Sequence, residues 1–151
     1  MSEDLFKQVS LNNGYKVIRH ASSDEDMFEH WDWLCEKDSK LLKIEVKGKK
    51  HLWRNGPELL DSICVEWRNV RGNNGWIYGK SDLIAFHVDR LFLIFNREEL
   101  LKSCEKLVNF NKEVKSFKDS YNCIYTRPNR DDRMSLIKLS DVCKPLEVLK
   151  V

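Results

Sequence analysis

Several features that would assign a chain to a class at once are missing from this sequence. It has no apolar run of about 18 residues and no secretory signal at its start, so we expect a soluble, intracellular protein with no membrane partner. Its five cysteines are odd in number, widely spread and without a C-x-x-C pair, which indicates reduced thiols rather than disulfides or a zinc site. With no internal repeat and no low-complexity linker, residues 1–151 are most simply one domain.

A strong net charge is also missing. The chain has 26 lysines and arginines against 24 aspartates and glutamates, a formal charge of +2. Bulk charge therefore gives no sign of a polyanionic partner, and any role with nucleic acid must come from local clusters of basic residues.

The most informative segment that is present is Asp32–Lys47 (DWLCEKDSKLLKIEVK). Its second half alternates apolar and charged residues, the pattern of a half-buried strand, and Asp38-Ser39 is a polar point of reversal. A hairpin folded there places Asp32 opposite Glu45, with Cβ atoms roughly 4.5–5.5 Å apart. Lys47 follows about 6.6 Å further along the same face. The sequence therefore predicts two carboxylates and an ammonium group at one spot.

That arrangement has a chemical use. Two like charges so close repel each other unless a cation lies between them. Carboxylates of Asp32 and Glu45 and the carbonyl of Val46 are the hard oxygen ligands that Mg²⁺ or Mn²⁺ prefers. Lys47 would orient or deprotonate a water, or neutralise charge on a scissile phosphate. The alternative is an ordinary solvated strand face, because the E-x-K tripeptide is common in soluble proteins.

The spacing Asp-x12-Glu-x-Lys, carried by Asp32, Glu45 and Lys47, resembles the PD-(D/E)xK nuclease superfamily. The resemblance implies an α/β fold with a restriction-endonuclease-like core, a central mixed β-sheet flanked by helices. The sequence departs from the superfamily name in having Trp31 where a proline would precede the aspartate. An acidic residue on the first helix often joins the metal site in this superfamily, and Glu3 is the residue to test for that role.

Downstream segments extend the likeness. E-W-R-N-V, G-N-N-G-W-I-Y-G-K and D-L-I-A-F resemble a subgroup of uncharacterised viral and phage proteins of this nuclease fold, and the likeness covers about residues 29–95. On that basis Glu66 joins the catalytic candidates and Lys80 the nucleic-acid-binding ones. Glu66 is also a charge in an otherwise half-buried run, which an ion pair with a nearby basic residue would explain equally well.

Basic residues follow the predicted hairpin in Gly48–Arg54 (GKKHLWR). Phosphate contacts supply most non-specific nucleic-acid affinity, so Lys49, Lys50 and Arg54 are candidates for them, and Trp53 for stacking on a base. The alternative is a solvated loop.

A second basic segment is the predicted loop Thr126–Arg133 (TRPNRDDR). Arg127 and Arg130 are candidates to hold phosphates, although Asp131 and Asp132 partly cancel their charge.

The rest of the chain supplies a framework for an α/β fold. An acidic stretch, Ala21–Glu29, predicts a loop or one helical turn capped by Ser22 or Ser23. Near-continuous apolar runs predict buried strands covered by an amphipathic helix. The predicted elements are a helix at Ser2–Asn13, strands at Tyr15–His20, Ser62–Val70, Leu83–Val88, Arg90–Phe95 and Met134–Leu139, and a helix at Arg97–Phe110.

Two functions of different classes follow. The first is a Mg²⁺- or Mn²⁺-dependent nuclease acting on DNA, with RNA as the other substrate, and the resemblance suggests a homodimer. The second is a catalytically silent viral accessory protein of the same fold that binds nucleic acid or a host protein. A structural protein in which Glu45 and Lys47 merely pair is the third interpretation.

Overall fold

The computed structural model describes all of residues 1–151. Two helices and ten strands form in chain order: α1 (Ser2–Leu11), β1 (Lys16–His20), β2 (Trp33–Lys37), β3 (Lys40–Lys47), β4 (Ser62–Arg68), β5 (Leu83–Val88), β6 (Leu91–Asn96), α2 (Arg97–Leu107), β7 (Asn109–Val114), β8 (Cys123–Thr126), β9 (Arg133–Lys138) and β10 (Glu147–Lys150). Neither helix is long and apolar enough to cross a membrane.

The chain forms two compact units. The first contains residues 1–49, 79–98 and 145–151, and the second contains residues 50–78 and 99–144. Each unit is built on its own sheet, which confirms the predicted α/β class, and the structure has few helices. The expectation of a single domain over residues 1–151 stays a prediction.

The first unit is a six-stranded sheet in the order β1-β2-β3-β5-β6-β10. β3 and β5 are parallel and the other neighbours are antiparallel, so the sheet is mixed as predicted. Because parallel strands need a long connection, the chain leaves this unit after β3 and returns at residue 79 before forming β5.

The β2–β3 hairpin has the predicted turn and register. Asp38 and Ser39 both have positive φ, 51° and 64°, the turn geometry that matches the right-handed twist of paired strands. Trp33 pairs with Ile44, and the same register continued by one residue places Asp32 opposite Glu45. The local sequence pattern was therefore sufficient to align these two carboxylates.

Alternation along β3 assigns its side chains to two faces of the sheet. Ile44 and Val46 belong to the apolar core on which α1 packs through Phe6 and Val9. Glu45 lies between them in sequence and so projects from the opposite face. α1 itself ends at Leu11, two residues before the predicted end.

The sheet of the first unit is strongly curled. Lys37 at the end of β2 contacts Glu147 on β10, with Nζ 2.8 and 2.6 Å from the two carboxylate oxygens. Three strands separate β2 from β10 in the sheet, so a flat sheet would hold them about 19 Å apart. The Tyr15 hydroxyl also donates to Glu147, at 3.0 Å, which joins both ends of the sheet.

The second unit is a four-stranded sheet in the order β4-β9-β8-β7 with a buried core that includes Val65 and Leu136. The predicted helix Arg97–Phe110 is shorter than expected. It ends at Leu107 because the next residues form β7, and the Asn109 N–H donates to the Asn122 carbonyl at 2.9 Å.

Candidate metal centre

β3 is longer than β2, and Asp32 lies where β2 has not yet begun. β2 starts at Trp33, opposite Ile44, so the last residues of β3 have no β2 partner. The Asp32 N–H donates to the Ile44 carbonyl at 2.9 Å, and its carboxylate Oδ2 accepts the Val46 N–H at 2.6 Å. The Asp32 carboxylate thus accepts a backbone hydrogen bond that a neighbouring strand would otherwise accept, and it is held beside Glu45.

Both carboxylates of this pair are almost fully buried. Asp32 is 3% exposed and Glu45 is 5% exposed. One carboxylate oxygen from each of them and one from Asp26 all lie within 4.8 Å of one another. Burial raises the pKa of Glu45 well above its usual value, the Asp32 carboxylate raises it further, and Lys47 opposes the shift. Without a cation the site therefore favours the protonated form of Glu45, and a cation would allow both carboxylates to be ionised.

Lys47 and the Val46 backbone complete the predicted set. The Lys47 Nζ lies 3.9 Å from Glu45 Oε2, and the lysine is half-buried. The N–H and C=O of one strand residue leave on the same edge of the strand. Because the Val46 N–H donates to Asp32, its carbonyl is directed to the edge where Asp32 lies.

Asp26 is a member of the cluster that the sequence analysis missed. It lies in a short π-helical turn, Glu25–Glu29, within the stretch predicted as a loop or one helical turn. Ser22 begins this turn in a capping box: its hydroxyl accepts the Glu25 N–H at 3.2 Å, and its N–H donates to Glu25 Oε1 at 2.9 Å. The Ser-x-x-Glu pattern was the sequence signal for an ordered turn here, and it does not single out Asp26.

Ion pairs attach this turn to the sheet. Arg19 on β1 makes a two-pronged contact with Glu25 at 2.7 and 2.9 Å, which lowers the pKa of Glu25 to about 2. At the other end Glu29 accepts the Trp31 indole N–H at 3.2 Å and contacts Lys43 at 3.3 Å. The hydrogen bond from Trp31 and the hydrogen bond and charge of Lys43 lower the pKa of Glu29. The turn that carries Asp26 is therefore held at both ends.

A second group of potential ligands shares Asp32. Glu3 at the start of α1 and His20 at the end of β1 offer atoms that lie within 4.8 Å of each other and of the Asp32 carboxylate. The His20 Nε2 is 3.3 Å from Glu3 Oε2, and the Ala21 carbonyl and Glu3 both raise the pKa of His20. The first-helix acid expected from the resemblance is thus adjacent to the pair, and its role stays a prediction.

The remaining candidates of the first unit lie on its surface. Lys49 and Lys80 are exposed, and the Lys80 backbone N–H donates to the Glu29 carbonyl at 2.8 Å. Contact of these side chains with phosphate stays a prediction.

Glu66, Lys50 and Arg54 belong to the second unit. Glu66 is half-buried on β4, where it pairs with Met134 of β9. Lys50 and Arg54 are exposed in the loop that precedes β4. The catalytic role of Glu66 and the phosphate contacts of the two basic residues stay predictions.

The two arginines of the β8–β9 loop differ in their surroundings. The Arg127 guanidinium pairs with Asp132, which is 2% exposed, so a phosphate would have to compete with a buried carboxylate. Arg130 is exposed. Asp132, which the sequence presents only as a charge that partly cancels the arginines, is the ion-pair partner of Arg127.

No family model matches the sequence, and no curated protein is similar enough to count as a relative. Among solved structures, a bacterial homing endonuclease is similar in structure to this chain, with 19% sequence identity and a TM-score of 0.44. The similarity covers 67% of this chain and 70% of the endonuclease chain. A likeness of that size does not identify functional residues.

Proposed function

We propose that the protein is a metal-dependent nuclease that hydrolyses phosphodiester bonds, with DNA as its substrate. The observation that supports this proposal best is the cluster of Asp26, Asp32 and Glu45, two of them almost fully buried, with Lys47 beside them.

The ligand set fits Mg²⁺ or Mn²⁺. Asp26, Asp32 and Glu45 offer only carboxylate oxygens, and the Val46 carbonyl is directed to the same edge. Hard oxygen ligands suit these ions, whereas zinc and copper sites usually include histidine or cysteine. Burial of paired carboxylates is unfavourable unless their charge is compensated, and a divalent ion would supply that compensation.

Each residue of the cluster would have its own task. A bound cation would polarise the scissile phosphate and favour ionisation of a nearby water. Asp32 is fixed in orientation by the Val46 N–H, and Glu45 by its place on β3. Asp26 is exposed, so the cluster has an open side from which a phosphate can enter. The Lys47 ammonium would neutralise the charge that develops on the phosphate oxygens and orient the attacking water.

Further parts of the proposal come from the resemblance. They are membership of the PD-(D/E)xK superfamily and its viral subgroup, an intracellular location in the host cytoplasm or nucleus, and a homodimer. Glu66 is proposed as a further catalytic acid. The proposed phosphate-binding residues are Lys49, Lys50, Arg54, Lys80, Arg127 and Arg130.

A cleavage assay tests the activity. Purified protein is incubated with single- and double-stranded DNA and RNA in Mn²⁺ or Mg²⁺, alongside the variants Asp32→Ala and Lys47→Ala. We expect Asp32→Ala to be inactive and Lys47→Ala to lose at least about 100-fold in rate, the usual effect of removing a charge-stabilising group. Lys40→Ala, an exposed lysine on the same strand, is the control and should cleave normally. Equal activity in all variants would refute the assignment.

A metal titration separates this proposal from a structural pair. The 3.9 Å contact between Lys47 and Glu45 is also what two residues that merely pair would make. Calorimetric titration with Mn²⁺ should show binding that is lost in Glu45→Ala. A parent protein that binds polynucleotide but no Mn²⁺ would instead favour the catalytically silent accessory protein.

A further inference from the structure

The loop between β3 and β4 has a defined shape within the second unit. Residues 50–59 fold back on themselves, His51 and Glu58 form an isolated antiparallel bridge, and Asn55 has a φ of 62°. Three backbone hydrogen bonds hold the loop, from the N–H groups of Leu59, Leu52 and Gly56 to the carbonyls of Lys50, Pro57 and Trp53, at 2.8, 3.1 and 2.9 Å. The tip of the loop, with Trp53, is therefore preorganised.

The indole of Trp53 lies flat on Gly56. A β-carbon placed on Gly56 would lie 2.7 Å from each of three atoms of the five-membered ring, so the glycine backbone is under the face of the ring. No larger residue fits at this position without moving the indole. The glycine supports one face of the ring and leaves the other face to solvent.

Trp53 is the exception among the tryptophans. It is 60% exposed, whereas the other four are at most 7% exposed. Exposure of an indole to water is unfavourable, and residues 50–58 around it are all exposed or half-buried, so core packing does not account for its position. A ligand that covers the open face would explain its position.

The charged residues near the Trp53 indole indicate the kind of ligand that would bind there. Lys50 and Arg54 are exposed on the same loop, and its one acidic residue, Glu58, is half-buried and bridged to His51. By contrast Phe28, the most exposed aromatic residue, lies within the acidic stretch Asp24–Glu29. The Trp53 loop is therefore suited to a polyanion with flat aromatic groups, and the Phe28 turn is not.

We propose that the Trp53 loop binds single-stranded polynucleotide by stacking an unpaired base on the open face of the indole, with Lys50 and Arg54 contacting the flanking phosphates. Aromatic side chains stack on bases of any sequence, and basic residues follow the backbone. In a duplex the base faces are already stacked on each other, so the loop prefers single strands or unpaired segments. This inference rests on the proposed nuclease function and specifies its substrate class.

Fluorescence titration tests the inference directly. Trp53 is the exposed tryptophan, so stacking of a base should quench the intrinsic emission of the protein. The probes are oligothymidylate and oligouridylate of about 20 nucleotides and a DNA duplex of equal length, at low salt with a chelator present so that no hydrolysis occurs. Affinity is measured in parallel by anisotropy of labelled strands.

The variants are Trp53→Ala, Trp53→Phe and Leu60→Ala. Loss of one base stack should weaken single-strand binding by about tenfold or more in Trp53→Ala and less in Trp53→Phe, with little change for the duplex. Leu60 is 59% exposed, close by in sequence, and has no aromatic face, so Leu60→Ala should bind like the parent. Oligothymidylate and oligouridylate should bind alike, because stacking on the indole tolerates a change of sugar and the loss of the thymine methyl group.

The outcomes separate this inference from the nuclease proposal. Single-strand binding by Trp53→Ala equal to that of the parent would overturn the inference, as would a parent protein with no affinity for single strands. Neither result involves the metal, so a cleavage activity that depends on Asp32 would stand. Conversely, binding that depends on Trp53 in a protein without cleavage activity would support the inference and refute the nuclease.

Discussion

Replacing Glu45 by glutamine should change the stability of the protein in opposite directions with and without metal. The side chain keeps its shape but loses its charge at a position that is 5% exposed and adjacent to a second carboxylate. In the metal-free protein that charge is unfavourable, because burial raises the pKa of Glu45. With Mn²⁺ bound the same charge is what holds the ion.

The sign of the pH dependence follows from the raised pKa. A carboxyl group with a higher pKa in the folded than in the unfolded state keeps its proton longer when folded. The parent protein should therefore lose stability as pH rises from about 4.3, the usual value for unfolded glutamate, up to the folded pKa. Each tenfold change in that protonation equilibrium is worth about 1.4 kcal/mol, or about 3–5 °C in Tm for a chain of this size.

The assay is thermal unfolding of parent and Glu45→Gln across pH 4 to pH 8, in chelator and in Mn²⁺. In chelator the variant should be the more stable at pH 8, and the difference should shrink toward pH 4. At a Mn²⁺ concentration about 100 times the Kd, the parent should gain about 2.7 kcal/mol and the variant nothing. A variant that is less stable at pH 8 in chelator, or an equal gain in both proteins, would refute the reasoning.

Three further predictions concern the turn, the curled sheet and a close backbone contact. Ser22→Ala removes the cap of the turn that carries Asp26, so it should weaken Mn²⁺ binding by about fivefold, the equivalent of about 1 kcal/mol, whereas Ser23→Ala should not. An unchanged Kd by calorimetry would show that the cap does not position the ligand. Glu147→Ala leaves both donors to its carboxylate unpaired and should cost about 1–2 kcal/mol in urea unfolding, with partial recovery in Glu147→Gln. A negligible cost would mean that solvent replaces both contacts. Gly75→Ala would place a β-carbon 2.1 Å from a carbonyl oxygen of β4 and should cost at least about 1–3 kcal/mol, and a normal Tm would contradict that contact.

The register of the carboxylate pair was predictable because it depends on local pattern alone. Alternation along β3 and a two-residue turn of polar residues determine which side chains face each other. The buried strands β5 and β6 were predictable for a similar reason, because a nearly continuous apolar run of this length is typical of a strand that is buried on both faces.

Other parts of the site depend on contacts between distant residues. The Val46 N–H donates to the Asp32 side chain because β2 begins at Trp33 and offers no backbone acceptor opposite Val46. No sequence pattern indicates where β2 begins. Asp26 joins the cluster through a turn whose position is set by Arg19 and Glu29. Acidic residues in a short turn look the same whether they face solvent or a neighbouring carboxylate.

The edge strand β7 was hard to predict because little of its surface is buried. β7 is exposed along nearly its whole length, so it lacks the alternation that identifies a strand. The apolar spacing of α2 continues to Phe110, which predicted a longer helix than the one observed. Pairing with β8 outweighs helix propensity beyond Leu107.

Because the segments of the two units alternate along the chain, the Asp32 and Glu45 carboxylates become buried late in folding. During synthesis the hairpin with Asp32 and Glu45 leaves the ribosome well before β5, β6 and β10, which complete its sheet. The two carboxylates therefore remain hydrated, and able to capture an ion, until the later strands pair. Neither unit is one continuous segment of the chain, so proteolytic cleavage within residues 50–78 would sever the covalent connection between β3 and β5, its parallel partner strand.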